Sequence, residues 1–453
     1  MYGYQENLSP LHQMIPPSSL NRKILVLAIP NIVTNIAIPL LGMVDMGLMG
    51  HLESGIYVGA IAVGTTIFSF IFWSFGFLRM GTSGFTAQAL GGRNLKDAMM
   101  TLYRSLLVAV FLGILVIALQ QLIAEIAFSL IKSSREVEML ARQYYFIRVY
   151  AALPTLCLYA FTGWYIGMQN ARIPMILSVT VNIMNIIFSL FFIQVMQMKS
   201  NGIALANVIS QYLGLLLAVI FFFLFYKKLL KYRIGDLRMK YTKAFREFLQ
   251  VNTDIFIRTL CLIVALSFFT AKSAKAGDTL LAVNSLLFQL FYFFSYFIDG
   301  FAYAAEALVG KSIGAKDHQL LVKVIRRLFS WGFVICLLFT VLYALGGGII
   351  LLTLTDNATI LTAARPYLFW IALVPMISFA AFLWDGIFVG ATASRAMRNS
   401  MLIITLGIFL PAYYLLEPVF GNHGLWMAMM LFLASRGIIL GIASKKAVFQ
   451  QIL

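Results

Sequence analysis

Few residues in this chain can do chemistry, and most of them stand inside long apolar runs. The clearest is Asp45, in Gly42-Met43-Val44-Asp45-Met46-Gly47-Leu48-Met49-Gly50-His51-Leu52. It lies about 20 residues into the first run, which at about 1.5 Å per helical residue is the outer half of a bilayer. A carboxylate anion is expensive there, so the group is suited to taking up and releasing a proton. A helix-end carboxylate facing headgroups is the competing role, but Met46, Leu48 and Met49 carry the apolar run past it. Asp385, in Phe382-Leu383-Trp384-Asp385-Gly386-Ile387-Phe388, is the second candidate and has no cation close in sequence. It competes with a purely structural, hydrogen-bonded Asp holding two helices together.

Asp254 and Arg258 are one helical turn apart and can pair with each other, as a fixed ion pair or as a latch that changes partners. Asp299 and Glu306 share one helix face near the end of the eighth run, with Glu306 within reach of the interface and Lys311. Arg148 has no local partner. Asn185, Asn207 and Asn284, with Gln169 and Gln289, offer neutral polar groups of the kind that tie helices together. Arg148, Asn207 and Asn284 are the candidates for lining a substrate cavity. A minority of the 39 Phe, 20 Tyr and 21 Met in such a cavity would suit broad recognition of apolar molecules.

Other chemistries fall away. Cys157, Cys261 and Cys336 lie in separate apolar runs with no CxxC spacing and read as core residues. His12, His51, His318 and His423 form no metal-ligand pattern, so no metal or organic cofactor is expected. Gly310-Lys311-Ser312 resembles the end of a P-loop, but Ala305 stands where the first glycine belongs. No clustered nucleophile and base indicates an enzyme.

The elements that must position these residues are membrane helices. Hydrophobic residues make up 61% of the 453 positions and charged residues 11%, against about 25% charged in a soluble domain. Runs long enough to cross a bilayer fall near 24–47, 57–80, 105–130, 140–166, 173–197, 203–226, 248–271, 279–305, 328–353, 366–391, 400–418 and 424–443. The fold class is therefore an all-α polytopic membrane protein of twelve helices. The first run lacks a small-residue cleavage site and reads as retained.

The net charge of +17 could indicate nucleic acid, but its placement argues against that partner. Arg22 and Lys23, then Arg93, Lys96 and Arg104, then the dense stretch from Lys227 to Arg246 all fall on one side of a twelve-span count. Lys311 to Arg327, Arg395 and Arg398, and Lys445 and Lys446 fall there too. The positive-inside bias puts both termini in the cytoplasm of a cell whose inner membrane holds the protein. The expected organisation is a tail at 1–23, an N-lobe at 24–226, a basic linker at 227–247, a C-lobe at 248–443 and a tail at 444–453.

The two lobes repeat one another at a shift of 223 residues. Gly167-Met168-Gln169-Asn170-Ala171-Arg172 meets Gly390-Ala391-Thr392-Ala393-Ser394-Arg395, and Phe161 to Tyr165 meets Trp384 to Phe388. Ala87 to Asn94 meets Gly310 to Asp317, while Arg142, Tyr144 and Phe146 meet Arg365, Tyr367 and Phe369. Six spans per half make the repeats parallel, two pseudo-symmetric six-helix bundles suited to alternating access. Thr162 is the repeat mate of Asp385, so the halves are chemically unequal.

Segments along nearly the whole chain resemble the multidrug and toxic compound extrusion (MATE) family, in particular its DinF branch. They are Val44-Asp45 through Gly50-His51-Leu52, Phe75 to Thr82, Thr162 to Asn170, Asp254 to Leu260, Asp299-Gly300-Phe301-Ala302 with Ala305 to Gly310, and Trp384-Asp385-Gly386. The resemblance implies a two-lobed antiporter that expels amphipathic organic compounds on a proton or sodium gradient. It makes Asp45 the N-lobe protonation site and Asp385 the tenth-helix acid of C-lobe coupling. The family's fifth-helix pair, Asn followed four residues later by Asp, falls on Asn185 and Ser189, so one carboxylate is missing here. A lipid-linked oligosaccharide flippase of the same superfamily is the alternative. Such proteins favour cationic cavities, and only Arg148 and Arg258 are obvious as cavity cations in this sequence. A monomer in the lipid bilayer is expected.

Overall fold

A computed structural model describes residues 20–50, 55–131, 133–232 and 241–452, and every regular element among them is helical. Among these residues, 12 helices are long and apolar enough to cross a membrane. Spans 1 to 6 are Leu20–Val44, Gly55–Gly91, Leu95–Ala118, Arg135–Gly167, Arg172–Val195 and Lys199–Lys231. Spans 7 to 12 are Lys243–Lys275, Asp278–Gly314, His318–Leu354, Ala358–Gly390, Ser394–Phe420 and Asn422–Gln451.

Several helices outrun their apolar stretches. Span 9 begins at His318 and carries Lys323, Arg326 and Arg327 on helical turns ahead of its apolar part. The third apolar run, expected as one helix over 105–130, is divided instead. Its helix starts at Leu95 and ends at Ala118, Leu119 leaves the helical conformation, and a second helix covers Gln120–Leu130. Gln120 and Gln121 follow the break directly, so a polar pair inside the apolar run stands where the helix divides.

The chain groups into two compact units. One comprises Val33–Leu90 and Asn94–Phe248, the other Leu20–Ile32, Gly91–Arg93 and Leu249–Leu453. The first turns of span 1 therefore group with the second unit, where the sequence places them in the N-lobe. Of the expected linker, Lys227–Lys231 form a 3-10 turn and the residues from Tyr241 onward are already helical. Residues 233–240 of that linker lie outside the described residues, as do the two expected tails up to residue 19 and at residue 453.

The 223-residue repeat reappears in backbone geometry. Arg93 and Lys316 both adopt positive φ, at 55° and 54°, as do Gln169 and Thr392, at 64° and 50°. Each sits where a helix ends in a left-handed residue, a place usually taken by glycine. The closing bonds match as well. Asn94 N–H donates to the Ala89 carbonyl at 2.8 Å and Asp317 N–H to the Ser312 carbonyl at 3.0 Å. Asn94 and Asp317 then cap the next helices by accepting from the N–H groups of Asp97 and Leu320. Ser134 and Asn357, another pair at the same shift, accept from Val137 and Ile360.

Glycines give the repeat its tight packing. A Cβ at Gly163 would strike the Arg79 carbonyl of span 2, and one at Gly386 would strike the Ala302 carbonyl of span 8. One turn on, Gly167 and Gly390 lie so close to the neighbouring backbone that a Cβ would fall 2.7 Å from the Ser83 carbonyl and 2.6 Å from that of Glu306. In each unit a pair of glycines four residues apart thus lets one span press onto the backbone of another, as small residues do in membrane bundles. In the first unit the same span is also tied to spans 3 and 6, by Trp164, which donates to the Ala98 carbonyl at 2.8 Å, and by Tyr165, which donates to that of Ala218 at 2.7 Å.

Candidate functional site

Gly386 and Gly390 hold span 10 against span 8, and this contact sets the position of Asp385. The carboxylate is buried, at 6% exposure, between Arg258 of span 7 and Arg436 of span 12, themselves 7% and 1% exposed. Its Oδ2 accepts from Nη2 of both guanidiniums, at 2.6 Å from Arg436. The Arg436 guanidinium also lies over the rings of Phe382 and Phe432, at 5.8 and 5.7 Å. Three polar atoms of this cluster are buried without a partner, namely Asp385 Oδ1, Arg258 Nε and Arg436 Nε. From span 8, Glu306 (buried) and Asp299 (half-buried) act electrostatically on Arg258, and Asp299 acts on Arg436.

Arg436 is missing from the candidates named from sequence. It carries the same mark as Arg148 and Arg258, a guanidinium inside an apolar run, in Phe432-Leu433-Ala434-Ser435-Arg436-Gly437-Ile438. Asp385, with no cation near it in sequence, has two in space.

The expected Asp254–Arg258 pair does not form. Asp254, buried at 1% exposure, accepts from Ser394 Oγ at 2.8 Å and from Arg398 Nη1 at 2.5 Å, both at the start of span 11. One turn along span 7, Arg258 turns to Asp385. Each charge finds a partner on another helix, which ties span 7 to spans 10 and 11 where a local pair would tie it to nothing.

Asn284 is a fully committed group. Its Nδ2 donates to Ser273 Oγ and to Asn422 Oδ1, both at 2.7 Å, and its Oδ1 accepts from Asn422 Nδ2 at 3.1 Å and Trp426 Nε1 at 2.9 Å. An amide has two donors and two acceptor positions, and all four are used. Asn284 does line a cavity of about 190 Å³, together with Thr270, Ser273, Phe288, Gln289 and Tyr292. It shapes the wall and has no hydrogen-bonding capacity left for a ligand.

In the first unit, Asn185 is buried and accepts from Ser189 Oγ at 3.2 Å, while its Nδ2 is buried without a partner. Asn207 is buried on span 6. Arg148 has a local partner after all, in a tyrosine and not an acid. Its Nη1 donates to Tyr144 OH at 2.6 Å and to Thr65 Oγ1 at 3.2 Å, with the guanidinium 5.0 Å from the Phe68 ring centroid. Arg148 is therefore held in an aromatic niche between spans 2 and 4. Asp45 stands on the helix Leu20–Gly50, and its side chain lies outside the described residues.

Twelve spans in two repeated halves, with charges buried inside the helices, define a polytopic membrane transporter. The MatE family model matches residues 30–191 and again 255–415, once in each half, and the chain belongs to that family. DNA damage-inducible protein F of Escherichia coli K12 is 39% identical over 91% of this chain and 89% of its own length. Human multidrug and toxin extrusion protein 1 is 25% identical over 90% of this chain and 72% of its own. Among solved structures, the Vibrio cholerae MATE transporter VcmN in its bent form superposes with a TM-score of 0.84 at 15% identity, covering 95% of this chain and 98% of that one. The chain is thus a MATE multidrug and toxin efflux transporter and not an enzyme.

Proposed function

We propose that the protein is a proton-coupled antiporter that exports amphipathic organic compounds across the cytoplasmic membrane, with its two lobes exposing the substrate cavity to each side in turn. Asp45 is the leading protonation site and Asp385 the acid of the second lobe. Both termini are cytoplasmic, and the monomer is the working unit.

The observation that carries this reading is the double guanidinium clamp on Asp385. A hard metal cation at a carboxylate gathers a shell of oxygen ligands. Here the shared carboxylate oxygen faces two arginines, and a monovalent cation brought within about 4 Å of either would meet about 4 kcal/mol of repulsion. A proton needs no such shell. In the first lobe, Asn185 keeps a buried amide N–H without a partner, a donor suited to a deprotonated carboxyl. Alternating access is supported by the repeat, since two copies of one frame with unequal charges can exchange stability as one of them is protonated.

The test is transport in proteoliposomes under independent proton and sodium gradients across a panel of fluorescent dyes. A proton gradient should drive dye movement and a sodium gradient at equal pH should not. Sodium-driven transport would overturn the coupling ion. Asp45→Asn should abolish proton-driven movement in a protein that remains monodisperse. Undiminished pH-driven transport by that variant would remove Asp45 from its role.

A further inference from the structure

The cavity beside Asn284 has a floor whose hydrogen bonds are used up and a rim whose hydrogen bonds are not. It lies between the last turns of span 7 and the first turns of span 8. Its span 8 side is drawn from positions 281, 284, 285, 288, 289 and 292, the stripe that one helix face presents. Asn284 and Ser273 are bonded to each other, and Asn284 is bonded to Asn422 and Trp426 of span 12, so this floor is rigid before anything binds. Along the same stripe the side chains of Ser285, Gln289 and Tyr292 make no hydrogen bond among the described residues. Opposite them, Thr270 Oγ1 donates to the Leu266 carbonyl at 3.1 Å and keeps its oxygen as an acceptor. The apolar wall is aromatic. Phe269 and Phe288 meet edge to face at 4.7 Å, Tyr292 lies 5.9 Å from Phe288, and Trp426 stacks behind Phe288 at 5.7 Å. None of the lining residues is Asp, Glu, Lys, Arg or His. The repeated frame does not call for this chemistry, because the repeat mates of Asn284, Phe288, Gln289 and Tyr292 are Ile61, Thr65, Thr66 and Ser69.

We propose that this cleft holds the uncharged aromatic end of an exported compound, a ring carrying a carboxamide or a similar adjacent donor and acceptor. The proposal names a substrate class for the efflux activity and rests on that reading. Gln289 offers a donor and an acceptor side by side, which a carboxamide meets with one bond in each direction. Ser285 lies one helical turn before it and Tyr292 about one turn after, each with a hydroxyl that can give or take a further bond. Phe269, Phe288 and Tyr292 give the ligand ring edge and offset contacts. A cavity of about 150 Å³ takes up benzene, so one of about 190 Å³ accepts a single substituted ring. Thr270, Ser285 and Gln289 are exposed, so the cleft opens on one side and the rest of a larger molecule leaves through it. A charged group fares worse. It gives up its water where no counter-charge waits, and the pull of ring faces on a cation returns only part of that loss. A lipid chain would fill the ring-lined part and leave the amide and the hydroxyls unmet. An uncharged end group carries no proton in or out, so its binding sets no condition on the direction in which protons move.

The experiment uses the full-length protein in nanodiscs and four para-fluorophenyl probes that differ in one substituent: carboxamide, carboxylate, aminomethyl in its ammonium form, and ethyl. Titration followed by fluorine NMR, with empty nanodiscs as the blank, should place the carboxamide about tenfold or more above the carboxylate and the ammonium. Gln289→Leu removes the amide at similar volume. It should weaken the carboxamide about tenfold and leave the ethyl probe unchanged. Ser285→Phe fills the cleft and should remove binding of all four probes above the blank. Both positions are exposed, so both variants are expected to fold. Carboxylate, ammonium or ethyl binding as tight as that of the carboxamide overturns the proposal. So does a carboxamide affinity indifferent to both substitutions. In proteoliposomes the carboxamide should compete with dye export by the parent and about tenfold less well with export by Gln289→Leu. Binding without competition takes the cleft off the substrate path and also overturns the proposal. Proton-driven dye export with no carboxamide binding removes this site and leaves the antiport standing. Competitive carboxamide binding in a protein whose dye export ignores the proton gradient leaves the site and removes the proton coupling.

Discussion

Arg436 donates to Asp385 at 2.6 Å across a sequence separation of 51 residues, joining the last span to the tenth. Both partners are almost fully buried, so the pair is held in place by what each would cost alone. An unpaired charge in an apolar interior is far more destabilising than the intact pair is stabilising.

The first expectation is a strong coupling between these two residues. Asp385→Asn strands two guanidiniums and should lower stability by about 2–4 kcal/mol, while Arg436→Gln leaves Asp385 paired with Arg258 and should cost about 1–3 kcal/mol. The double variant should cost less than the sum by about 1–3 kcal/mol. Denaturation in detergent, followed by tryptophan fluorescence, measures all three. Additivity would show that the two side chains do not share one cluster.

Asp254 and Arg398 form an asymmetric pair, with side chains 2% and 29% exposed. Arg398→Gln strands a buried carboxylate that retains only the Ser394 hydroxyl, and should cost about 2–3 kcal/mol. Asp254→Asn keeps a neutral acceptor for that hydroxyl and frees an arginine that can reach solvent, so it should cost about 1 kcal/mol. Unfolding midpoints of the two variants should therefore differ in that order. The reverse order would mean that the buried acid is compensated elsewhere.

The repeated glycines give a paired prediction. Gly163→Ala and Gly386→Ala each drive a methyl into a carbonyl of the neighbouring span and should each cost about 1–3 kcal/mol. Gly348→Ala, whose Cβ meets nothing within 4 Å, should lie within about 1 kcal/mol of the parent. Thermal unfolding of the three variants side by side tests whether the close approach is real in both halves.

Asn284→Asp keeps the shape of the side chain but loses both amide donors, to Ser273 and to Asn422. It should destabilise by about 2 kcal/mol or more, whereas Ser273→Ala, which removes one partner, should cost about 1 kcal/mol. If Asn284→Asp folds as well as the parent, the amide is not the pin that joins spans 7, 8 and 12.

By itself the sequence determined the solvent, the number of spans and the duplication. These rest on composition, on the length of apolar runs and on a shift of 223 residues, all properties of a chain read in order. Even the turn geometry at Arg93 and Lys316, or at Gln169 and Thr392, follows from aligned residues, because a helix end is a local event. Where Leu119 interrupts the third run, Gln120 and Gln121 follow at once, a weak local sign because glutamine is itself a good helix former. What only the tertiary structure decided is who partners whom among the buried charges. Asp254 and Arg258 are correctly spaced for each other on one helix, and still each is claimed by a residue more than 100 positions away. Inside the membrane a charge must be met from whichever helix stands beside it, and helix neighbours are set by packing at glycines such as Gly386 and Gly390. For that reason Asp385 reads in sequence as a lone acid and in space as the centre of a cluster with two arginines, neither of them close to it in the chain.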